Sequence, residues 1–224
     1  MDPASDNLLF DAAEVRVLGA LVEKAVTTPD YYPLSLNALV NACNQSSNRD
    51  PVVSYGEPTV LHAVESLRAR KLVFVFEGAT SRVSKYGQRL ADALGLSPAE
   101  IAALCVLMLR GPQTVGEIRG RSGRLHEFSG LDEVESTLQS LAARPAGPLV
   151  QRLPRQTGYK ESRHAHLLAG PPEIAPVETV PAAPVGSGIP DDNRIARLEE
   201  VVGELRQEIA GLKTQFDDLR KQLE

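Results

Sequence analysis

The chain of 224 residues contains no tryptophan, and aromatic residues make up only 4% of it, so its cores must be filled by aliphatic side chains. It has two cysteines, Cys43 and Cys105, and both fall on apolar helical faces. That is the pattern of buried thiols in a reducing cytosol, and a cytoplasmic location is expected. No stretch approaches the length of a membrane span, so no membrane partner is expected. The opening MDPASDNLLF has two acids, no base and no apolar run, which is not the pattern of a signal peptide. Catalytic signatures are missing too: there is no GxxxxGK[ST], no GxSxG and no HExxH. His164 and His166 stand two apart and share the face of an expected strand, but no cysteine or carboxylate cluster completes a metal site. No catalytic residue, metal or cofactor is therefore expected, and the chain is read as non-enzymatic.

Charge is present but unevenly placed. Residues 1–170 carry 18 basic and 18 acidic side chains, whereas 171–224 carry 6 and 11. The tail thus supplies the whole net charge of −5. An acidic total of this origin does not argue against a nucleic-acid-binding body, though it excludes an overwhelmingly basic one.

The stretch from Thr27 to Val53 organises the rest. Thr27-Thr28-Pro29-Asp30 is a turn, followed by two tyrosines expected to be exposed, which serve either as a partner contact or in packing the inter-helix turn. Pro33 favours an extended residue before it. Ser35 caps a short helix from Leu36 to about Asn44, with Leu36, Leu39, Val40 and Cys43 on one face. Gln45 to Asp50 has no apolar residue and reads as a loop. A longer helix over 12–25 precedes this, with a capping box at Asp11 to Glu14 and a stripe of Val15, Leu18, Leu21 and Val22. Another follows over 58–71, with Val60, Leu61, Val64 and Leu67 inward. Leu72 to Phe76 is a strand, Glu77 to Thr80 a turn, and Arg82 to Tyr86 the returning strand. Helix, short strand, helix, loop, helix and hairpin is the order of a winged helix.

The order recurs. AAEVRVLGALVE at 12–23 matches PAEIAALCVLML at 98–109, with Glu14 to Glu100 and Leu18 to Leu104 both offset by 86. Ser97 to Glu100 is a second capping box, and Leu18 and Leu104 are expected in the core. Thr114 takes the role of Ser35, with Arg119 to Gly130 as the polar loop. Val134, Leu138 and Leu141 line a third helix from about Leu131. Leu149 to Pro154 and Glu161 to Leu168 form a second hairpin with Arg155 to Lys160 at its tip. The expected class is mainly α with small β-hairpins: a disordered segment at 1–7, winged helices at 8–90 and 91–170, a proline-rich linker at 171–193, and a coiled-coil helix at 194–224.

Three blocks, VLGALVEKAVTTPDYYPLSLNALVNACNQSSNRDPV, LRGPQTVGEIRGRSGRLHEF and VQRLPRQTGYKESRHAHLLAG, resemble the YceH family of bacterial proteins over roughly 8–170. The resemblance implies a pair of winged-helix domains. It brings no catalytic or binding residues.

The tail carries an unbroken heptad. Ile195, Val202, Ile209, Phe216 and Leu223 occupy one core position, and Leu198, Leu205, Leu212 and Leu219 the other. Aliphatic β-branched residues facing leucines favour a parallel two-chain coil, so self-association is expected.

A winged helix commonly places its third helix in the major groove of DNA. The first unit offers Thr59, His62 and Ser66 there, with Arg68, Arg70 and Lys71 at the far end, where they also suit the helix dipole. The second unit offers Asp132, Glu133 and Glu135, which would repel phosphate. Its cations lie elsewhere: Arg119, Arg121 and Arg124 after the second helix, and Arg152, Arg155, Lys160 and Arg163 on the hairpin. The first hairpin adds Arg82 and Lys85. These residues are the candidates for contact with phosphates or an acidic partner. Two readings follow: a dimeric DNA-binding or transcription-associated regulator, or a tandem winged-helix adaptor that binds a protein without touching DNA.

Overall fold

In the computed structural model, residues 9–77, 83–155 and 161–172 are described, all within the unit Met1–Ala175. The expected N-terminal segment 1–7, Arg82, Lys160, nearly all of the linker and the heptad positions from Ile195 to Leu223 lie outside the described residues. The described chain is mainly helical with small antiparallel sheets. Its elements are α1 (Ala12–Thr27), β1 (Leu34–Ser35), α2 (Leu36–Cys43), α3 (Glu57–Ala69), β2 (Val73–Phe76), β3 (Lys85–Gln88), α4 (Leu90–Leu94), α5 (Pro98–Arg110), α6 (Val115–Ser122), α7 (Leu131–Ala142), β4 (Val150–Arg152) and β5 (His164–His166). No helix among the described residues is long and apolar enough to cross a membrane.

The helix starts are where their caps put them. Asp11 accepts the Glu14 amide at 2.7 Å and Glu14 accepts the Asp11 amide at 2.8 Å. Ser97 with Glu100, and Thr114 with Glu117, close the same reciprocal pair, and Ser35 accepts the Ala38 amide. Each such cap stabilises its helix by roughly 1 kcal/mol. Leu18 and Leu104 are fully buried, as their positions in the stripes require.

The two halves share an order of helices and a hairpin, with a three-stranded sheet in the first and a two-stranded one in the second. Ser35 caps α2 and pairs with Lys85 of β3, while Thr114 caps α6 and its neighbour Gln113 bridges to His164 of β5. The first sheet has the order β1-β3-β2 and the second pairs β4 with β5. The buried set runs without a break from Phe10 to Leu168, and α1 packs directly on α5. They cross at equivalent positions: the Cys105 thiol donates to the Gly19 carbonyl at 3.5 Å, and these residues are 86 apart, the same offset that relates the two capping boxes. The expected boundary at 90–91 falls inside α4, a short helix that the sequence reading did not anticipate.

Several boundaries differ from expectation. The return strand is Lys85–Gln88, not Arg82–Tyr86, because Gly87 must face the Phe74 ring, where a Cβ would stand 2.3 Å from a ring carbon. Helix α3 stops at Ala69 because Lys71 takes a left-handed backbone with φ 62°, which returns Leu72 to the Leu67 carbonyl. Leu61 is only half-buried, and Ala63 takes the inward place. Tyr31 is exposed as expected, but Tyr32 is not: it packs against the core, and its hydroxyl accepts the Gln88 amide at 2.6 Å. Arg119 and Arg121 lie on α6 rather than in a loop, because Ile118 and Ser122, one turn apart, are both buried and hold that helix through its glycines. The second hairpin is shorter than expected on both strands.

Candidate functional site

The loop from Asn44 to Gly56 is polar in sequence but fastened at several points. Asn44 exchanges hydrogen bonds with the backbone of Tyr55, and Asp50 donates its amide to Leu109 at the end of α5. Its centre is Arg49, whose side chain is fully buried. The guanidinium forks onto Glu23 of α1 at 2.6 and 3.1 Å and donates to the carbonyls of Ala42 and Asn48 and to the Gln45 amide oxygen. A second buried arginine, Arg16, donates to the carbonyls of Cys43 and Pro51. Burial, and next the neighbouring Arg49, lower its pKa.

This loop forms one wall of a cleft of about 390 Å³. Glu23, Lys24 and Thr27 of α1 line it, with Gln45, Ser47 and Asn48 of the loop, Cys105, Val106, Leu109 and Arg110 of α5, and Gly120, Arg121, Gly123, Arg124 and Leu125 around the end of α6. The lining holds four cations, Lys24, Arg110, Arg121 and Arg124, and one carboxylate, Glu23, already forked by Arg49. Arg110 reaches Asn48, and Arg121 is bonded to Gln113 and lies 3.5 Å from Glu117. Arg124 is exposed and has no partner among the described residues. Burial raises the Cys105 thiol well above its ordinary range, so it stays protonated and offers no nucleophile to the cleft.

The other candidates separate into groups. Thr59 and His62 are exposed and Ser66 half-buried on the outer face of α3, and none of these side chains makes a hydrogen bond among the described residues. Arg70 is committed: it donates to the Leu9 carbonyl, lies 3.6 Å from Glu14 and covers the Phe10 ring. Lys85 is half-buried on β3, and Arg119 projects exposed from α6. Arg152 and Arg155 line a different cleft, of about 740 Å³, together with Glu135 and Glu161. Arg163 donates to Pro112 and lies 3.9 Å from Glu117. The arginines named from sequence therefore do not share one cleft. At the start of α7, Glu133 accepts both the amide and the hydroxyl of Ser129, then His126, and its pKa is held down to about 2. Glu133 thus ties the turn at Ser129 to the first turn of α7.

His164 and His166 share a face, as alternation predicts, and burial lowers both, His166 to about 4. No cluster of three metal-ligating side chains occurs among the described residues.

The sequence reading missed Arg16, Lys24, Arg49 and Arg110. For Lys24 and Arg110 a signal existed, since they are related by the same offset of 86. For Arg49 there was none, because a polar run gives no hint of which member turns inward.

A family described as "Protein of unknown function, DUF480" matches residues 10–159. A UPF0502 protein of Opitutus terrae is 54% identical over 206 residues, covering 91% of this chain and 87% of that relative. One of Solibacter usitatus is 55% identical over 208 residues, covering 93% and 98%. One of Pelobacter propionicus is 49% identical over 223 residues, covering 97% and 100%, so this likeness takes in most of the tail. These similarities are consistent with the bacterial family that the three sequence blocks resemble.

Proposed function

The chain belongs to the DUF480 family, whose relatives above are UPF0502 proteins, and we propose that it is a non-enzymatic regulator that binds nucleic acid through the first of two tandem winged helices. One observation carries this reading: the outer face of α3 presents Thr59, His62 and Ser66 uncommitted, while the inner face, Val60, Ala63, Val64 and Leu67, is fully occupied by the core. A recognition helix needs that division, with a rigid back and free hydrogen-bonding groups in front. Arg119 on α6 supplies a further uncommitted cation. On the same reading, the heptad pattern of the sequence over 195–223 would pair two chains in parallel, which would raise the effective concentration of the second body once the first has bound.

The acidic start of α7 favours a second reading for the other half. Asp132 and Glu135 stand exposed on the helix that begins with an exposed Leu131, a surface suited to a basic or apolar protein partner rather than to phosphate.

The test is a salt titration of the full-length protein on duplex DNA by fluorescence anisotropy. Binding should weaken as salt rises, and Arg119→Ala should reduce the slope by up to about one unit. His62→Ala should weaken binding of specific sequences. No binding at low salt would leave the adaptor reading in its place. Sedimentation should find a dimer that becomes a monomer when 191–224 is removed.

A further inference from the structure

The cleft between α1, α5 and the end of α6 carries an excess of positive charge. The larger cleft beside α7 sets Arg152 and Arg155 against Glu135 and Glu161. Here four cations meet one lining carboxylate, Glu23, which Arg49 already forks from behind. Arg121 is paired with Glu117 at 3.5 Å, which leaves Lys24, Arg110 and Arg124 as an excess of three. Part of the excess has a plain explanation. The C-terminal ends of α1, α5 and α6 converge on the cleft, and cations offset helix dipoles. Three such ends carry at most roughly one and a half negative charges, about half a charge each, which is less than the excess of three cations.

The other wall is apolar, made by Val106, Leu109 and Leu125. The volume, about 390 Å³, lies at the lower end of the range for small-molecule sites, about 300–1,000 Å³. A cleft of that volume suits a small ligand better than an extended nucleic-acid backbone.

We infer that this cleft binds a small organic phosphate, with Arg110, Arg121 and Arg124 on the phosphate and Val106, Leu109 and Leu125 against the carbon portion. Guanidinium groups match phosphate oxygens in pairs, and the lining glycines Gly120 and Gly123 put no side chain in the way. The pKa of Arg110 is lowered by burial, then by Arg121 and Arg49, the mark of a cation whose neighbours are also cations. Lys24 and Arg110 occupy equivalent positions of the two repeats, so the ligand would sit where the halves meet and touch both. Arg49 is a positioning residue: it fixes the loop that carries Asn48, which in turn holds Arg110. The inference stands apart from the nucleic-acid reading, since it uses neither α3 nor Arg119.

The test is calorimetric titration of the full-length protein with AMP, adenosine and inorganic phosphate at matched ionic strength. AMP should bind, inorganic phosphate more weakly, and adenosine not at all. Arg110→Gln and Arg124→Glu should each weaken AMP by at least tenfold, while His62→Ala leaves it unchanged. Arg124 is exposed and unpartnered, so its variant should keep the thermal midpoint of the parent. Adenosine binding as well as AMP, or no AMP binding at millimolar concentration, would overturn the inference. So would a variant Arg124→Glu that loses duplex DNA while AMP binds neither protein, which would make the cleft a backbone contact and leave the nucleic-acid reading intact.

Discussion

Arg49 shows how much of a loop can depend on one side chain. Five hydrogen-bond acceptors, on Glu23, Ala42, Asn48 and Gln45, converge on its guanidinium. A buried pair of this kind contributes little beyond an apolar replacement of both partners, but breaking it from one side leaves the mostly buried Glu23 with only Lys24, 3.7 Å away, to offset it. Arg49→Leu is expected to cost about 3–5 kcal/mol in urea unfolding. Arg49→Lys should recover little, since an ammonium cannot fork across both oxygens of Glu23. A loss under about 1 kcal/mol for the leucine variant would mean that the loop is held by its backbone contacts instead.

Among the elements, β3 is the most constrained, because it is the central strand of the first sheet and is pinned by a close approach. Gly87 meets the Phe74 ring, and Arg89 covers that ring at 5.4 Å. Gly87→Ala should therefore destabilise the protein by about 1–3 kcal/mol, as overpacking does. The paired control is Gly120→Ala on α6, where an added Cβ meets nothing within 4 Å. It should stabilise by up to about 1 kcal/mol through helix propensity alone. Thermal unfolding followed by circular dichroism reads both, and equal effects from the two variants would refute the account of the strand register.

At the scale of the molecule, the two repeats share a core instead of enclosing one each. Gly19 permits this, because an added Cβ would come within 2.9 Å of the Leu109 side chain. Calorimetry of the full-length protein should show the body of residues 9–172 melting in one transition, with van't Hoff and calorimetric enthalpies equal for that transition. Gly19→Val should force α1 and α5 apart and lower or split that transition. Two separate melts for the parent would show that the repeats are independent after all.

The sequence by itself determined the helix starts and the repeat. Capping boxes at Asp11, Ser97 and Thr114 are local, so a few neighbouring residues suffice to place them. The apolar stripes that bury Leu18 and Leu104 are likewise periodic and readable. What only the tertiary structure decided depends on residues distant in the chain. The register of β3 follows from Phe74 across the sheet, the extent of α6 from the burial of Ser122, and the inward turn of Arg49 from Glu23 on another helix. The charged cleft is the clearest case: Lys24, Arg110 and Arg124 come together because two apolar faces, each readable alone, pack on each other through a glycine. Hydrophobic burial has no direction, so a stripe states that it will be covered but not by what, and what covers it decides which cations become neighbours.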